Sequence, residues 1–237
     1  MSSIQLATRN DLSVLAKTFQ RHRRIQIPDL LTEPSANEIL HSLEQQKEWN
    51  LAWNLNGQHR DLDYAGVDAW ADNEKRKLDS LIFEQAAHEF QYRYAAVPIY
   101  DIYHQNLLPG HFFNEIYEFI NSSKVIELVR KVTGYSDIKF ADIQATRYSK
   151  GHFLTVHDDA VEGKNRLAAY VINLTPDWKE DWGGALIFPD SKSSAEAWFP
   201  QFNLMNLFAV PQKHAVTVVS PFTPRYRYSL TGWFRSG

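Results

Sequence analysis

The sequence predicts a mainly β chain of the α+β class, a β-sandwich or jelly roll flanked by N-terminal helices. Three observations carry this. Apolar residues recur at helical spacing in several segments before Gly134. From Lys139 onward the texture changes to a period of two, with Asp142, Gln144, Thr146 and Tyr148 alternating against Ile143, Ala145 and Arg147. Short β-rich runs then follow one another, separated by turn residues.

Residues 11–21 place Leu12, Leu15, Ala16 and Phe19 on one stripe of a helix. Residues 24–28 alternate and predict a short strand. Thr32 is positioned to cap a helix over 33–46, with Pro34 in its first turn and Ile39, Leu40 and Leu43 on its buried stripe. Residues 49–70 mix Trp49, Trp53, Tyr64 and Trp70 with Asn, Gly, Asp and Gln. They read as a strand followed by a polar loop, expected to form a mobile cover that helps select substrate. Asp72 or Asn73 starts a long helix to about residue 93, and residues 114–120 and 124–132 form two shorter ones. Gly134 closes the helical part as the glycine just past a helix end. Strands are expected over 168–174, 204–210, 215–219 and 225–234, with a turn and strand at Gly183-Gly-Ala-Leu-Ile-Phe188. No repeat, low-complexity tract or linker interrupts the chain. A single domain over 1–237 is the expectation, with a helical part carrying early strands over 1–138 and a β core over 139–237.

Of the 237 residues, 44% are hydrophobic and 22% charged, which is ordinary globular composition with room for one sizeable core. Aromatics reach 14%, enough to line a cleft as well as a core. The absence of Cys excludes disulfides, Cys-based zinc sites, iron–sulfur clusters and a thiol nucleophile. A formal net charge of -3 argues against a nucleic-acid partner. The basic cluster Arg21-His22-Arg23-Arg24 is short, leads into an apolar strand and reads as solvated. The first residues have no apolar signal core, and no run approaches the ~18 apolar residues of a membrane span. A cytoplasmic chain away from membranes is therefore expected. Nothing in the sequence speaks to oligomeric state.

The chemistry concentrates in Tyr148-Ser-Lys-Gly-His-Phe-Leu-Thr-Val-His157-Asp158-Asp159. In an extended strand His157 and Asp159 share one face and Asp158 takes the other. A lone His-x-Asp is common and weak. His214 lies 55 residues beyond Asp159 and can close the set from a neighbouring strand. Two imidazoles and one carboxylate on one side of a metal leave the opposite positions open, the facial triad of a non-heme Fe(II) site. Arg227 follows 13 residues after His214, where a cation would hold the far carboxylate of 2-oxoglutarate. Arg225 is also within reach. Arg227 is preferred because Ser229 shares its strand face, adding a hydroxyl to the guanidinium fork. Gln144, Thr146, Arg166 and Trp233 are expected to line the substrate pocket.

Together these motifs resemble the Fe(II)/2-oxoglutarate dioxygenases of the prolyl 4-hydroxylase-like branch. The resemblance rests on Tyr148, Gly151, His157 and Asp159, Leu174-Thr-Pro-Asp-Trp178, Gly183-Gly-Ala-Leu186, His214, and Arg227 to Trp233, and covers residues 140–237. It implies a double-stranded β-helix (jelly roll, cupin-like) with the metal at one open end. It also implies Fe(II), 2-oxoglutarate and O2, with ascorbate as an optional reductant. Tyr148 would contact the metal-proximal end of the co-substrate. Asn173 matches a position where some members place a Tyr against the distal carboxylate, and is shorter. The spacing from His214 to Arg227 is a little longer than in many relatives, through Ser220-Pro-Phe-Thr-Pro224, which reads as a turn. The implied reaction decarboxylates 2-oxoglutarate to succinate while O2 hydroxylates a substrate C–H bond. The first expectation is a peptidyl or protein side chain, with proline the candidate. A free amino acid or natural product is the second. A non-catalytic jelly-roll binding module is the third, and the complete triad with Arg227 argues against it.

Overall fold

The computed structural model describes residues 4–191 and 193–237, and within them thirteen strands pair into one antiparallel sheet that curls on itself. In chain order the elements are α1 (Leu12–His22), β1 (Arg24–Ile27), α2 (Glu33–Gln45), β2 (Asn50–Leu55), β3 (Gln58–Asp63), α3 (Tyr64–Asp68), α4 (Asp72–Ala86), β4 (Tyr92–Val97), α5 (Ile99–His104), α6 (Phe112–Ile120) and α7 (Ser123–Thr133). The β-rich part follows as β5 (Phe140–Ala141), β6 (Gln144–Tyr148), β7 (Phe153–His157), β8 (Arg166–Asn173), β9 (Leu186–Pro189), β10 (Ala195–Trp198), β11 (Leu204–Ala209), β12 (His214–Val216) and β13 (Arg227–Arg235). One layer runs β1-β11-β8-β13-β6-β4 and continues into β2 and β3; the other runs β7-β12-β9-β10. Strand β4 joins them, because it pairs with β2 and β6 and also meets β7. This is the expected double-stranded β-helix, mainly β, with helices packed on it.

Local signals explain some of the helix ends. The Ser122 hydroxyl accepts from Val125 N at the start of α7. Gly134 ends it with φ 76°, donating its N–H to Arg130 O. Thr32 sits at the cap position of α2 as expected, but its hydroxyl bonds the Ser35 side chain rather than the helix backbone. The main core lies between helices and sheet and buries Phe19, Trp49, Phe113 and Phe234. Each such side chain contributes roughly 1.5–3 kcal/mol by leaving water. A second cluster, with Tyr148, Trp178, Trp182, Leu186, Phe188 and Phe208, fills the space between the two sheet layers. Among the described residues no helix is long and apolar enough to cross a membrane.

Two expectations need correction. Residues 49–70 are not a strand followed by a loop. They form the hairpin β2–β3, closed by Asn56-Gly57 with φ 52° and 77°, and then α3. A two-residue turn with both φ positive matches the twist of paired strands, and Asn-Gly tolerates it. All of β3 is exposed, which is why its composition looks loop-like. The helix expected to run to residue 93 stops at Ala86, and Tyr92–Val97 is strand β4. Residues 87–93 carry no Gly or Pro to end a helix, so only tertiary pairing reveals the break.

Candidate metal centre and its pocket

In the β7–β12 pair His157 stands directly opposite His214, and the two rings lie 4.1 Å apart at their centroids. Each ring is oriented by its own chain. His157 Nδ1 lies 3.0 Å from Thr155 O, and His214 Nδ1 lies 2.8 Å from Gln212 O. A carbonyl can only accept, so both Nδ1 atoms carry the proton and both Nε2 lone pairs are free. The free nitrogens converge on Asp159, at 3.2 Å from Oδ1 for His157 and 3.4 Å from Oδ2 for His214. Asp159 reaches this point by a different route from the one its spacing suggests. Strand β7 ends at His157, and Asp159 has φ 64°, a left-handed turn that Asp tolerates better than most residues. The turn, not strand alternation, brings the carboxylate in. Asp158 accepts from Ala160 N through its side chain.

These three residues fit a divalent ion. One ligand atom from each lies within 4.8 Å of the others. Neighbouring ligands on an ion with bonds of roughly 2.0–2.2 Å stand about 3 Å apart, as the two carboxylate–imidazole distances do. Mixed nitrogen and oxygen donors suit Fe(II). Burial pushes the Asp159 carboxyl up, but its close contact with the His157 ring and the positive potential of the two imidazoles outweigh it and hold it below the usual range. Burial also lowers the His214 imidazole, favouring the neutral ring a metal needs. The Trp233 indole N–H lies close enough to favour the Asp159 charge, without a well-formed hydrogen bond.

The centre opens on a cavity of about 580 Å³. Arg227 lies in its wall and is only 2% exposed. Its Nη2 donates to Asn173 Oδ1 at 3.2 Å, its Nε has no partner, and its guanidinium rests 5.2 Å from the Tyr148 ring centre. No carboxylate among the described residues pairs with it, and burial depresses its pKa. Room for it comes from Gly183-Gly184. A Cβ on Gly184 would stand 3.3 Å from Arg227 Cδ, and one on Gly183 would stand 2.1 Å from Val218 O. Ser229 lines the same wall and bonds Thr146 Oγ1 at 2.8 Å. Thr146, expected on the substrate side, thus sits beside Ser229. Asn173 does not line the cavity and touches it only through Arg227. Tyr148 lines it, with burial raising its hydroxyl pKa. Arg225 is exposed and bonds Pro176 O, outside this cavity.

On the other side Gln144, Arg166, Thr231 and Trp233 line the wall. The Arg166 guanidinium lies 3.5 Å from the Trp233 ring centre, and its Nη1 donates to Asp159 O at 3.1 Å. Arg166 Nε, Trp233 Nε1 and Thr231 Oγ1 are buried without hydrogen-bond partners. Lining residues outside the expected set include Phe90, and Tyr92 and Tyr94 on β4, while His59 lies on the hairpin within the segment 49–70 expected to help select substrate. The rings of Phe90, Tyr92, Tyr94 and Tyr148 follow one another at centroid spacings of 5.6, 5.4 and 5.3 Å. The i, i+2 spacing of Tyr92 and Tyr94 would have signalled a strand face had residues 87–93 not read as helix.

Residues 143–235 match the model of the 2OG-Fe(II) oxygenase superfamily. A mouse protein named prolyl 3-hydroxylase OGFOD1 is 32% identical over 113 residues, covering 44% of this chain; the chain spans only 20% of that relative. Among solved structures, a 2OG-Fe(II) oxygenase family oxidoreductase from Burkholderia pseudomallei aligns with TM-score 0.63 at 13% identity, over 98% of this chain and 96% of its own. A Trichoplax adhaerens prolyl hydroxylase, in complex with a hypoxia inducible factor oxygen degradation domain peptide fragment, aligns with TM-score 0.63 at 16% identity, over 95% of this chain and 89% of its own. At these identities the structures speak for the fold, while the sequence match falls on the segment that carries His157, Asp159, His214 and Arg227. Over residues 143–235 the chain is similar to the 2OG-Fe(II) oxygenase superfamily, and prolyl hydroxylases are among the proteins it resembles.

Proposed function

We propose that this chain is an Fe(II)- and 2-oxoglutarate-dependent dioxygenase that hydroxylates a C–H bond of a peptidyl side chain, with proline the candidate residue. The observation that carries the reading is Arg227, a buried cation without a counter-charge in the same cavity as three converging metal-type ligands. Leaving such a charge unpaired costs several kcal/mol, so the site is complementary to an anion. A carboxylate accepts a bidentate guanidinium with Ser229 alongside.

Bound Fe(II), with 2-oxoglutarate and O2, would supply the oxidising power, giving succinate, CO2 and the hydroxylated product. His157, Asp159 and His214 would hold the metal, with Thr155 O and Gln212 O fixing the two imidazoles. Arg227, oriented by Asn173, would anchor the distal carboxylate. Tyr148 would meet the co-substrate nearer the metal. Leu154, Leu186, Phe208 and Val216 provide an apolar wall that limits water.

Three features favour a polypeptide over a small free metabolite. Phe90, Val156 and Val161 are exposed, and Phe90 and Val161 line the cavity itself. The unpartnered groups of Arg166, Trp233 and Thr231 offer donors to backbone carbonyl oxygens. The aromatic row presents ring edges to an apolar ring such as proline's. The mouse relative's name and the peptide bound in the Trichoplax structure point the same way. Anaerobic titration with Fe(II) and 2-oxoglutarate, followed by a peptide screen reading succinate and addition of one oxygen atom, tests this. Failure to bind 2-oxoglutarate with metal present would overturn the whole reading. Turnover confined to free amino acids would overturn only the polypeptide part.

A further inference from the structure

Gln91 is fully buried and stands between α4 and β4, in neither. Its side-chain oxygen accepts from the N–H groups of Asn54 and Tyr92, both at 2.8 Å. Its side-chain nitrogen donates to Asn54 O at 2.8 Å and Gln85 Oε1 at 3.0 Å. Two lone pairs and two hydrogens are thereby all used. Its backbone N–H donates to Thr155 Oγ1 at 2.8 Å, and its carbonyl accepts from Thr155 N at 2.9 Å. One residue therefore ties three elements together: β2 through Asn54, α4 through Gln85, and β7 through Thr155.

Its place in the sheet explains the need. The pairing of β4 with β2 runs only from Arg93 to Ala96, and that with β7 covers only Tyr92 and Arg93. Asn54 lies past the end of its ladder, and the Gln91 amide takes the place of a peptide group there. Two further bonds extend the connection. The Gln85 amide nitrogen donates to Asn56 Oδ1 in the hairpin turn at 3.2 Å. Thr155 O fixes the His157 ring. The hairpin also carries His59, which lines the cavity and bonds the Tyr92 hydroxyl at 2.7 Å.

We propose that Gln91 is a positioning residue that couples the β2–β3 hairpin to the strand bearing His157, so that ordering at the metal centre and closure of the hairpin beside the cleft are one cooperative event. The metal half of this rests on the function proposed above; the staple itself does not. Coupling of this kind is reciprocal, so a substrate that orders the hairpin also tightens the metal site.

Hydrogen exchange on the full chain tests it, metal-free and with Mn(II) alone. In metal-free protein Gln91→Leu leaves two hairpin backbone groups unpaired and should speed exchange in residues 50–63 at least about tenfold, with β13 unaffected. In wild type Mn(II) should slow exchange both at 155–159 and in the hairpin, although no hairpin residue is a ligand. In Gln91→Leu the slowing at 155–159 should remain and the slowing in the hairpin should vanish. A purely structural role would speed hairpin exchange but leave the Mn(II) effect there intact, and that result overturns the coupling. Should Gln91→Leu not fold, Thr155→Val removes the Oγ1 acceptor with little change of shape. Equal Mn(II) protection of the hairpin in that variant would likewise overturn it. Absence of any Mn(II) effect at 155–159 in wild type would remove the metal reading, and the metal-free arm would still decide the staple: unchanged hairpin exchange in the variant sinks it.

Discussion

Arg227 is a charge that the fold buries without a counter-charge, and that fixes what its replacement should do. Removing one member of a buried, hydrogen-bonded charge pair costs about 2–5 kcal/mol. Arg227→Ala should therefore weaken 2-oxoglutarate binding to the Mn(II)-loaded protein by roughly 30-fold or more, while Mn(II) affinity stays within about threefold. Arg227→Lys should recover little, because an ammonium cannot make the forked contact or keep the Asn173 bond in place. Calorimetric titration checks both, and the same loss in Arg225→Ala would contradict the assignment. His152 makes a second residue-scale case. Burial, with Arg93 nearby, pushes its imidazole down to about 3. It takes the Ser149 backbone N–H on Nδ1 and reaches the Ser149 hydroxyl through Nε2. Above the unfolded value of roughly 6.5 both states are neutral and this group adds no pH dependence. As pH falls from there towards 3 only the unfolded chain takes up the proton, so stability drops by up to about 1.4 kcal/mol per pH unit. Denaturant unfolding of metal-free protein between pH 6.5 and 4 should show a shallower slope for His152→Asn than for wild type. Equal slopes would mean that His152 is protonated in the native state.

At the scale of elements, the hairpin shows what could and could not be read. Asn56-Gly57 between Trp53 and Leu62 was a legible hairpin signal, hidden because β3 spends its residues on solvent. The same reasoning makes Gly57 testable. Its φ of 77° disfavours a β-branched residue, although a Cβ there would meet nothing. Gly57→Val should lower stability by about 1–2 kcal/mol through backbone strain alone, measurable by denaturant melts, whereas Gly57→Asn should cost much less. Equal losses for the two would implicate something other than φ. Most strands after Gly134 were legible as short β-rich runs between turn residues, whereas β10 was not, since three of its four residues are exposed and it carries no apolar run. Strand β4 was not, since Tyr92–Val97 is embedded among neighbours on several sides and loses clean alternation. Missing β4 also meant missing Tyr92, Tyr94 and the hub at Gln91. Asp159 does converge with the two imidazoles, but through a left-handed turn that no periodicity encodes.

Over the whole molecule, the fold carries the cost of its site. Arg227 lacks a counter-ion, Arg166, Trp233 and Thr231 hold buried groups without partners, and two imidazoles present free lone pairs to one carboxylate. Each such group lowers the stability of the unliganded fold, and each is relieved by a ligand that binds only the native state. A ligand at about 100 times its dissociation constant stabilises by roughly 2.7 kcal/mol. For a chain of this size that corresponds to about 5–10 °C in melting temperature. Mn(II) alone should therefore raise the melting temperature, and 2-oxoglutarate added with it should raise it again. The two increments should separate by variant. Arg227→Ala should keep the Mn(II) increment and lose the one from 2-oxoglutarate. Asp159→Ala should lose both, because a co-substrate that leans on the metal has nothing to complete. If 2-oxoglutarate stabilised the Asp159→Ala protein as much as wild type, the anion would be held by Arg227 independently of the triad, and the cavity would be two adjacent sites rather than one.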